Sequence, residues 1–133
     1  FKIDTIQAPA NLIDTRIFRK KHQLILKENN IKLEIRSIFL QGLLIENSKN
    51  IPPKFNEFRT FFSNLENFNK KNKISATTSA ISFLHNKKFD KLIIGVTSSD
   101  QLMDFISNTK VKFFKTPVFR IKNRKYLINP LLW

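Results

Sequence analysis

Three segments of the chain have the hydrophobic pattern of β-strands. Residues 1–7 and 32–40 alternate β-branched or aromatic side chains with polar ones, as a half-buried strand does. Residues 91–96 form an almost continuous apolar run after Lys91. Such a run is typical of a parallel strand that is covered on both faces of its sheet. We therefore predict three strands, the third of them buried between two layers.

Apolar side chains at the helical period predict four helices, over residues 12–29, 55–69, 75–86 and 98 to about 107. The second has the clearest apolar stripe, made of Phe58, Phe61, Phe62, Leu65 and Phe68. Ser98 and Gln101 have the spacing of a capping box, which indicates where the last helix begins. For the tail, residues 110–133, we expect irregular structure with at most a short strand or helix, wrapping back on the domain.

The order of these elements is strand, helix, strand, helix, helix, strand, helix, tail. Strands joined through helices pair in parallel, so the predicted fold class is α/β. A sheet of three strands has two open edges, whereas a flavodoxin-like sheet normally has about five strands. The strand pattern also begins at once at Phe1, where a polar, frayed terminus is more usual. We therefore expect a piece of a larger α/β unit whose natural beginning lies elsewhere.

Charge is the most unusual feature of the composition. The chain has 24 Lys and Arg against 10 Asp and Glu, a net charge of +14. This charge attracts polyanions, which raises the hypothesis of nucleic-acid binding. Most of the cations are Lys, however, and Lys reads base edges less often than Arg. The abundance of Lys, Asn, Ile and Phe is also typical of coding biased toward A and T, so we treat nucleic-acid binding as the least favoured reading.

Missing residue types exclude several kinds of site. There is no Cys, and the two histidines, His22 and His85, are far apart with few carboxylates nearby, so we expect no disulfide and no metal. The two glycines, Gly42 and Gly95, are too few for a P-loop or a GxGxxG turn. No apolar run approaches the roughly 18 residues of a membrane span, and no secretory leader pattern is visible. We expect a cytoplasmic protein without a membrane partner.

Four short segments, taken together and in order, resemble the aldo/keto reductase superfamily. They are QAPAN at 7–11, RSIFLQGLL at 36–44, IGVTSSDQL at 94–102 and NPLLW at 129–133, the last being similar to the ending of a bacterial branch. The resemblance covers nearly the whole chain. It implies that residues 1–133 are part of a TIM (β/α)8 barrel, about strands six to eight with the C-terminal tail, lacking the N-terminal strands.

The resemblance also implies a nicotinamide cofactor, NADP or NAD, held by the ends of the strands. The residues implied are Gln7, Arg36, Ser37, Phe39, Leu40, Gly95, Val96, Thr97, Ser98, Gln101 and Asp104. In the family, a glutamine at the position of Gln7 binds the nicotinamide carboxamide, and the loops after the next two strands hold the phosphates. In (β/α)8 barrels these loops commonly form the phosphate-binding site.

Several of these positions have alternative readings. Many family members have a Tyr where Arg36 stands, and a cation facing oxidised nicotinamide would repel it, so Arg36 either points elsewhere or is used differently. Gln101 stands where family members that prefer NADP often have Arg, which leaves the choice between NADP and NAD open. Capping and a solvated helix face account equally well for Thr97, Ser98, Gln101 and Asp104.

The family's catalytic Asp, Tyr, Lys and His come from strands that this chain does not match, and its single tyrosine, Tyr126, lies in the tail. We therefore predict no catalytic residue here. The leading hypothesis is the C-terminal part of an NAD(P)H-dependent aldo/keto reductase, which supplies cofactor-binding loops for hydride transfer to a small carbonyl substrate. This chain alone would be inactive and would need the N-terminal half. A non-catalytic half-barrel module that self-associates is the alternative.

Overall fold

A three-stranded parallel sheet organises the computed structural model, which describes residues 2–110, 115–117, 119 and 121–133. Its strands are β1 (Thr5–Pro9), β2 (Lys32–Arg36) and β3 (Lys91–Leu92), in the order β1-β2-β3. The helices in these ranges are α1 (Lys20–Glu28), α2 (Arg59–Asn72), α3 (Ala76–Ser82), α4 (Ser99–Thr109) and α5 (Arg124–Leu127). The predicted class, α/β with parallel strands, is confirmed.

The sheet has one buried face and one exposed face. On the central strand β2, Leu33 and Ile35 are buried and join the core formed by the phenylalanines of α2. Their strand neighbours point the opposite way, since successive side chains alternate between faces. The prediction that the third strand is covered on both faces is wrong, because Lys91 is exposed and Ile93 keeps 37% of its surface exposed. The helices supply apolar cover on one side of the sheet only.

Strand β2 is shorter than the alternating pattern predicts. Residues 32–40 keep the alternation, but the strand ends at Arg36 because Ser37 has a left-handed backbone with φ of 59°. Ladder hydrogen bonds need extended backbone, so the pairing with β1 stops at Pro9 and Arg36. Strand β3 is also shorter than 91–96, and β1 occupies 5–9 rather than 1–7. Phe1 lies outside the described residues.

Helix α1 begins at Lys20, eight residues later than the periodicity predicts. The side chain of Asn11 accepts hydrogen bonds from the N–H groups of Ile13 and Asp14, both at 2.9 Å. This local turn provides hydrogen-bond acceptors for these backbone N–H groups and so competes with helix formation. Helix α2 is confirmed with shifted bounds, since a short 3-10 segment, Pro53–Phe58, precedes it. Phe61, Phe62 and Leu65 of the predicted stripe are buried.

The described part of the tail packs back on the domain, as expected. The indole Nε1 of Trp133 donates to the carbonyl of Tyr126 at 3.0 Å, and its ring lies edge-on to Phe55 with centroids 5.0 Å apart. Residues 111–114, 118 and 120, which also belong to the predicted tail, lie outside the described residues. In the described ranges, no helix combines the length and the apolar character that crossing a membrane requires.

The end of α2 provides a stability prediction. Lys73, which caps this helix, has a left-handed backbone with φ of 53° and ψ of 42°. A side chain at such a position costs about 1 kcal/mol, and glycine avoids this cost. We expect Lys73→Gly to raise the free energy of unfolding by about 1 kcal/mol, measured by urea denaturation.

The matched control is Lys71→Gly, which removes the same side chain two residues earlier, inside the helix. There the backbone is helical, and glycine is destabilising by roughly 0.5–1 kcal/mol. Opposite signs for the two variants support the left-handed cap. Equal losses would contradict it.

A second prediction concerns Glu66, which joins α2 to the segment before it. Its carboxylate accepts from the ammonium of Lys70 and from the N–H of Ser48 at 3.2 Å. These hydrogen bonds, that of Lys70 first, lower the pKa of Glu66 from its ordinary 4.5 to about 2. The stabilisation is therefore present above pH 4.5 and is lost as the pH falls toward 2.

The pKa can be followed by NMR titration of the Glu66 side-chain carbon. We expect Lys70→Met to return the pKa of Glu66 most of the way to its ordinary value, because the strongest donor is removed. Lys71→Met, which removes a cation from the next position on the helix, serves as the control. A similar effect of both changes would mean that the general positive charge of the chain, and not this contact, sets the pKa.

Candidate functional site

A cavity of about 500 Å³ opens at the carboxyl ends of β2 and β3, and we call it the β2–β3 cavity. Its size lies within the range of small-molecule sites. Three parts of the chain line it: the loop after β2, the segment after β3, and the facing sides of α3 and α4. The lining residues are Arg36, Ser37, Ile38, Phe39, Gln41, Gly42, Ile45, Thr77, Ile93, Ile94, Gly95, Thr97, Gln101, Asp104 and Phe105. Ligands of open parallel sheets bind at this end of the strands.

The loop after β2 forms one wall of the cavity and has unusual backbone geometry. Ser37, Leu40 and Gln41 are left-handed, with φ of 59°, 48° and 53°, and Gly42 has φ of 90°. Residues other than glycine adopt this conformation seldom and at a cost. The left-handed residues fold the loop tightly, since the N–H of Leu40 donates to the carbonyl of Ser37 at 3.0 Å. At Gly42 any side chain would be strained by the φ value alone.

A buried asparagine ties this loop to the end of β1. The amide nitrogen of Asn11 donates to the carbonyl of Ser37 at 3.1 Å, while its oxygen holds the turn after β1. Asn11 is only 1% exposed, and its two hydrogen bonds to the turn after β1 are buried. Asn11 therefore positions the left-handed Ser37 although it does not line the cavity.

An ion pair continues this turn. Arg16 donates to both carboxylate oxygens of Asp14, at 2.8 Å from Nε and 2.7 Å from Nη2. These hydrogen bonds raise the pKa of Arg16 further above its ordinary value. Within the described ranges, no three His, Asp or Glu side chains are grouped as a metal site would require.

The start of α4 forms the opposite wall. Ser98 caps the helix through its hydroxyl, which accepts from the N–H of Gln101 at 3.2 Å. The Gln101 Oε1 in turn accepts from the N–H of Thr97 at 2.9 Å and from its hydroxyl at 3.1 Å. The capping role is therefore real for Ser98, Gln101 and Thr97. Gln101 and Thr97 also line the cavity, whereas Ser98 does not.

Asp104 sits between the cavity and the contact of α3 with α4. One carboxylate oxygen accepts from the hydroxyl of Thr77 at 2.7 Å, and the other accepts from the amide of Asn108 at 2.9 Å. The hydroxyl of Thr78 donates to the side-chain oxygen of Asn108 in the same contact. The two helices therefore meet through polar groups, and this holds Gln101, Asp104 and Phe105 toward the cavity.

Arg36 gives the cavity its positive charge. Among the described lining residues, Arg36 is the one cation and Asp104 the one anion. The guanidinium is exposed and donates to the hydroxyl of Ser37 at 3.2 Å. Arg36 therefore lines the β2–β3 cavity, and its role toward a cofactor stays a prediction.

The residues that the resemblance implies as cofactor contacts are only partly brought together. Those on the cavity are Arg36, Ser37, Phe39, Gly95, Thr97, Gln101 and Asp104. Gln7 lies apart, on the exposed face of the sheet, where its amide donates to the Glu34 carboxylate at 3.0 Å. Leu40 is buried in the core, and Val96 is partly exposed but does not line the cavity.

Eight of the fifteen lining residues are not among the predicted site residues, and two of these eight, Thr77 and Phe105, come from helices. Thr77 enters from α3, and no sequence pattern links it to a segment 27 residues away. Phe105 lines the cavity and packs edge-on to Phe39, with ring centroids 6.3 Å apart. A signal for Phe105 was available, because it lies four residues after Gln101 and so shares its helix face.

Comparison with known proteins adds no assignment. No protein-family model matches the chain, and a search of curated proteins finds no match. What the site can do is therefore argued from the geometry of the β2–β3 cavity.

The role of Asn11 in positioning the loop generates a prediction. Asn11→Ala leaves two N–H groups and one carbonyl without their buried partner. Since each unsatisfied buried group costs roughly 1–3 kcal/mol and the chain relaxes in part, we expect a loss of about 3 kcal/mol in stability, measured by urea denaturation.

Asn64→Ala is the control, because it makes the same chemical change at an exposed position of α2. A change within about 0.5 kcal/mol is expected there. If Asn11→Ala were as mild as the control, the proposed link between the end of β1 and Ser37 would be wrong.

Proposed function

We propose that the β2–β3 cavity binds a nicotinamide dinucleotide and that the chain is the cofactor-binding, C-terminal part of an aldo/keto reductase. The observation that carries this proposal is the convergence of separated segments on one cavity at the carboxyl ends of β2 and β3. Seven of the eleven residues implied by the resemblance line it. On this proposal the parallel sheet is part of a TIM (β/α)8 barrel in the cytoplasm.

The chemistry of the walls supports a phosphate-bearing ligand. Arg36 supplies a guanidinium, which is suited to bidentate phosphate binding. Thr97 and the first turn of α4 border the same space, where the helix dipole favours negative charge. Phe39 and Phe105 provide apolar surface for a flat ring. Polar groups for phosphates beside aromatic surface for a base are what a dinucleotide needs.

The same walls favour NADH over NADPH. A 2′-phosphate is best held by a cation. The side chain of Gln101 has no positive charge, and its oxygen already accepts two hydrogen bonds from Thr97. Asp104 in the same wall would repel an additional phosphate. Arg36, as a cation, would also disfavour the positively charged oxidised nicotinamide. The expected order of affinity is therefore NADH first, then NADPH, then NAD⁺.

On this proposal, another part of the barrel supplies the acid–base groups of carbonyl reduction. Tyr126 stacks on Phe58 in the core, with ring centroids 6.2 Å apart, and does not line the cavity. On this proposal, the proton donor for a small carbonyl substrate comes from the N-terminal half that the resemblance implies. The chain by itself is expected to bind the cofactor without turning over a carbonyl.

The test is ligand-induced thermal stabilisation of the purified chain with NADH, NADPH and NAD⁺. A ligand that binds only the folded state stabilises it by about 2.7 kcal/mol at a hundredfold excess over its dissociation constant. We expect the largest shift with NADH and a strong reduction in Arg36→Gln. Arg19→Gln is the matched control, because Arg19 is exposed and does not line the cavity.

Pyrophosphate serves as a control ligand because a net charge of +14 attracts any polyanion. If pyrophosphate stabilised the chain as much as NADH at physiological salt, binding would be general electrostatics. If Arg36→Gln and Arg19→Gln lost the same amount, the assignment of Arg36 would be wrong. No shift in a cooperatively folding chain would overturn cofactor binding by this chain.

A further inference from the structure

Helix α4 presents an apolar face that no described element covers. Leu102, Met103 and Ile106 are between 40% and 60% exposed. Ile106 lies three residues after Met103 and four after Leu102, so the three side chains share one face of the helix. The opposite face carries Gln101, Asp104 and Phe105, which line the β2–β3 cavity. The apolar face therefore points away from the site and does not serve it.

The surroundings of this face are acidic in an otherwise basic chain. Residues 92–109 contain no Lys or Arg, although the chain has 24 of them, and Asp100 lies three residues before Met103, beside this face. An apolar patch with this charge favours a partner that combines exposed aliphatic side chains with cations.

Helix α1 has those properties. Its Leu24 and Ile25 are roughly half exposed, and three cations, Lys20, Lys21 and Lys27, lie on the same short helix. Glu28, the last residue of α1, is the one carboxylate on this helix. The apolar and charged features of α1 thus complement those of α4.

The two helices also follow opposite edges of the sheet. Helix α1 comes after β1 and α4 comes after β3, and each of these strands has β2 as its single neighbour in the described sheet. A second copy placed head to tail would bring its β1 beside β3 in the parallel direction that the sheet already has. An isologous pair through one edge would instead run antiparallel.

We infer that the α4 face is a self-association surface, and that its occupant is helix α1 of a second copy of this chain. The contact is heterologous, so each copy uses α4 for one neighbour and α1 for the other. This contact does not depend on cofactor binding, because the apolar face of α4 and the cavity lie on opposite sides of that helix.

Sedimentation velocity of the purified chain over a wide concentration range tests this inference. We expect a sedimentation coefficient that rises with concentration. Met103→Lys, which puts a cation on the acidic face, and Leu24→Glu, which puts an anion on the basic face, should each abolish the rise. Both positions are exposed, so the fold is kept, and Ile106→Lys replaces Met103→Lys if circular dichroism finds that variant unfolded.

Mixing the two variants identifies the contact. The α1 of Met103→Lys and the α4 of Leu24→Glu are both intact, so the mixture should form a heterodimer although each variant alone is monomeric. Leu131→Lys adds a charge at an apolar residue that is 92% exposed elsewhere, and it should associate like the original chain.

Each other outcome overturns the inference. A monomer at all concentrations would leave α4 without the proposed occupant. Association that survives Leu24→Glu but not Met103→Lys would mean an α4–α4 contact. A mixture without a heterodimer would exclude the heterologous pairing, and a loss with Leu131→Lys would reveal non-specific association.

Discussion

The burial of Leu33 and Ile35 on the central strand is the constraint on which the rest of the structure depends. Both side chains join the phenylalanine-rich core under the sheet. Because β2 pairs with β1 on one side and β3 on the other, burying its apolar face fixes which way all three strands face. It also brings the carboxyl ends of β2 and β3 together, and the loops that follow them must then enclose the β2–β3 cavity.

The sequence predicts the elements of this fold better than it predicts their ends. Periodicity identifies three strands and the long helices because burial of one face requires a regular pattern. Their ends depend on local side-chain hydrogen bonds that compete with the pattern. Asn11 delays α1, and the left-handed Ser37 stops β2 although the alternation continues. The exposure of β3 was missed because an apolar run does not reveal how many layers cover it.

The candidate site could be predicted where its residues are close in sequence. Ser98 and Gln101 form a local cap, and their spacing is sufficient to predict it. The hydrogen bonds of Asp104 to Thr77 and of Asn11 to Ser37 join segments more than 25 residues apart. Without several sequences to compare, no pattern in one chain couples such positions. One part of the site therefore depends on local contacts that a sequence can predict, and the other part depends on tertiary packing.

The distribution of charge along the chain distinguishes a general compositional bias from a local feature of one segment. Most of the 24 cations are spread along the chain, which is consistent with a compositional bias and needs no ligand. The segment after β3 departs from that background, since residues 92–109 carry no cation at all. This segment supplies one wall of the cavity on one side of α4 and an uncovered apolar face on the other. A local departure from the composition of the whole chain is therefore more informative here than the net charge, because a uniform bias would have placed lysines on this helix too.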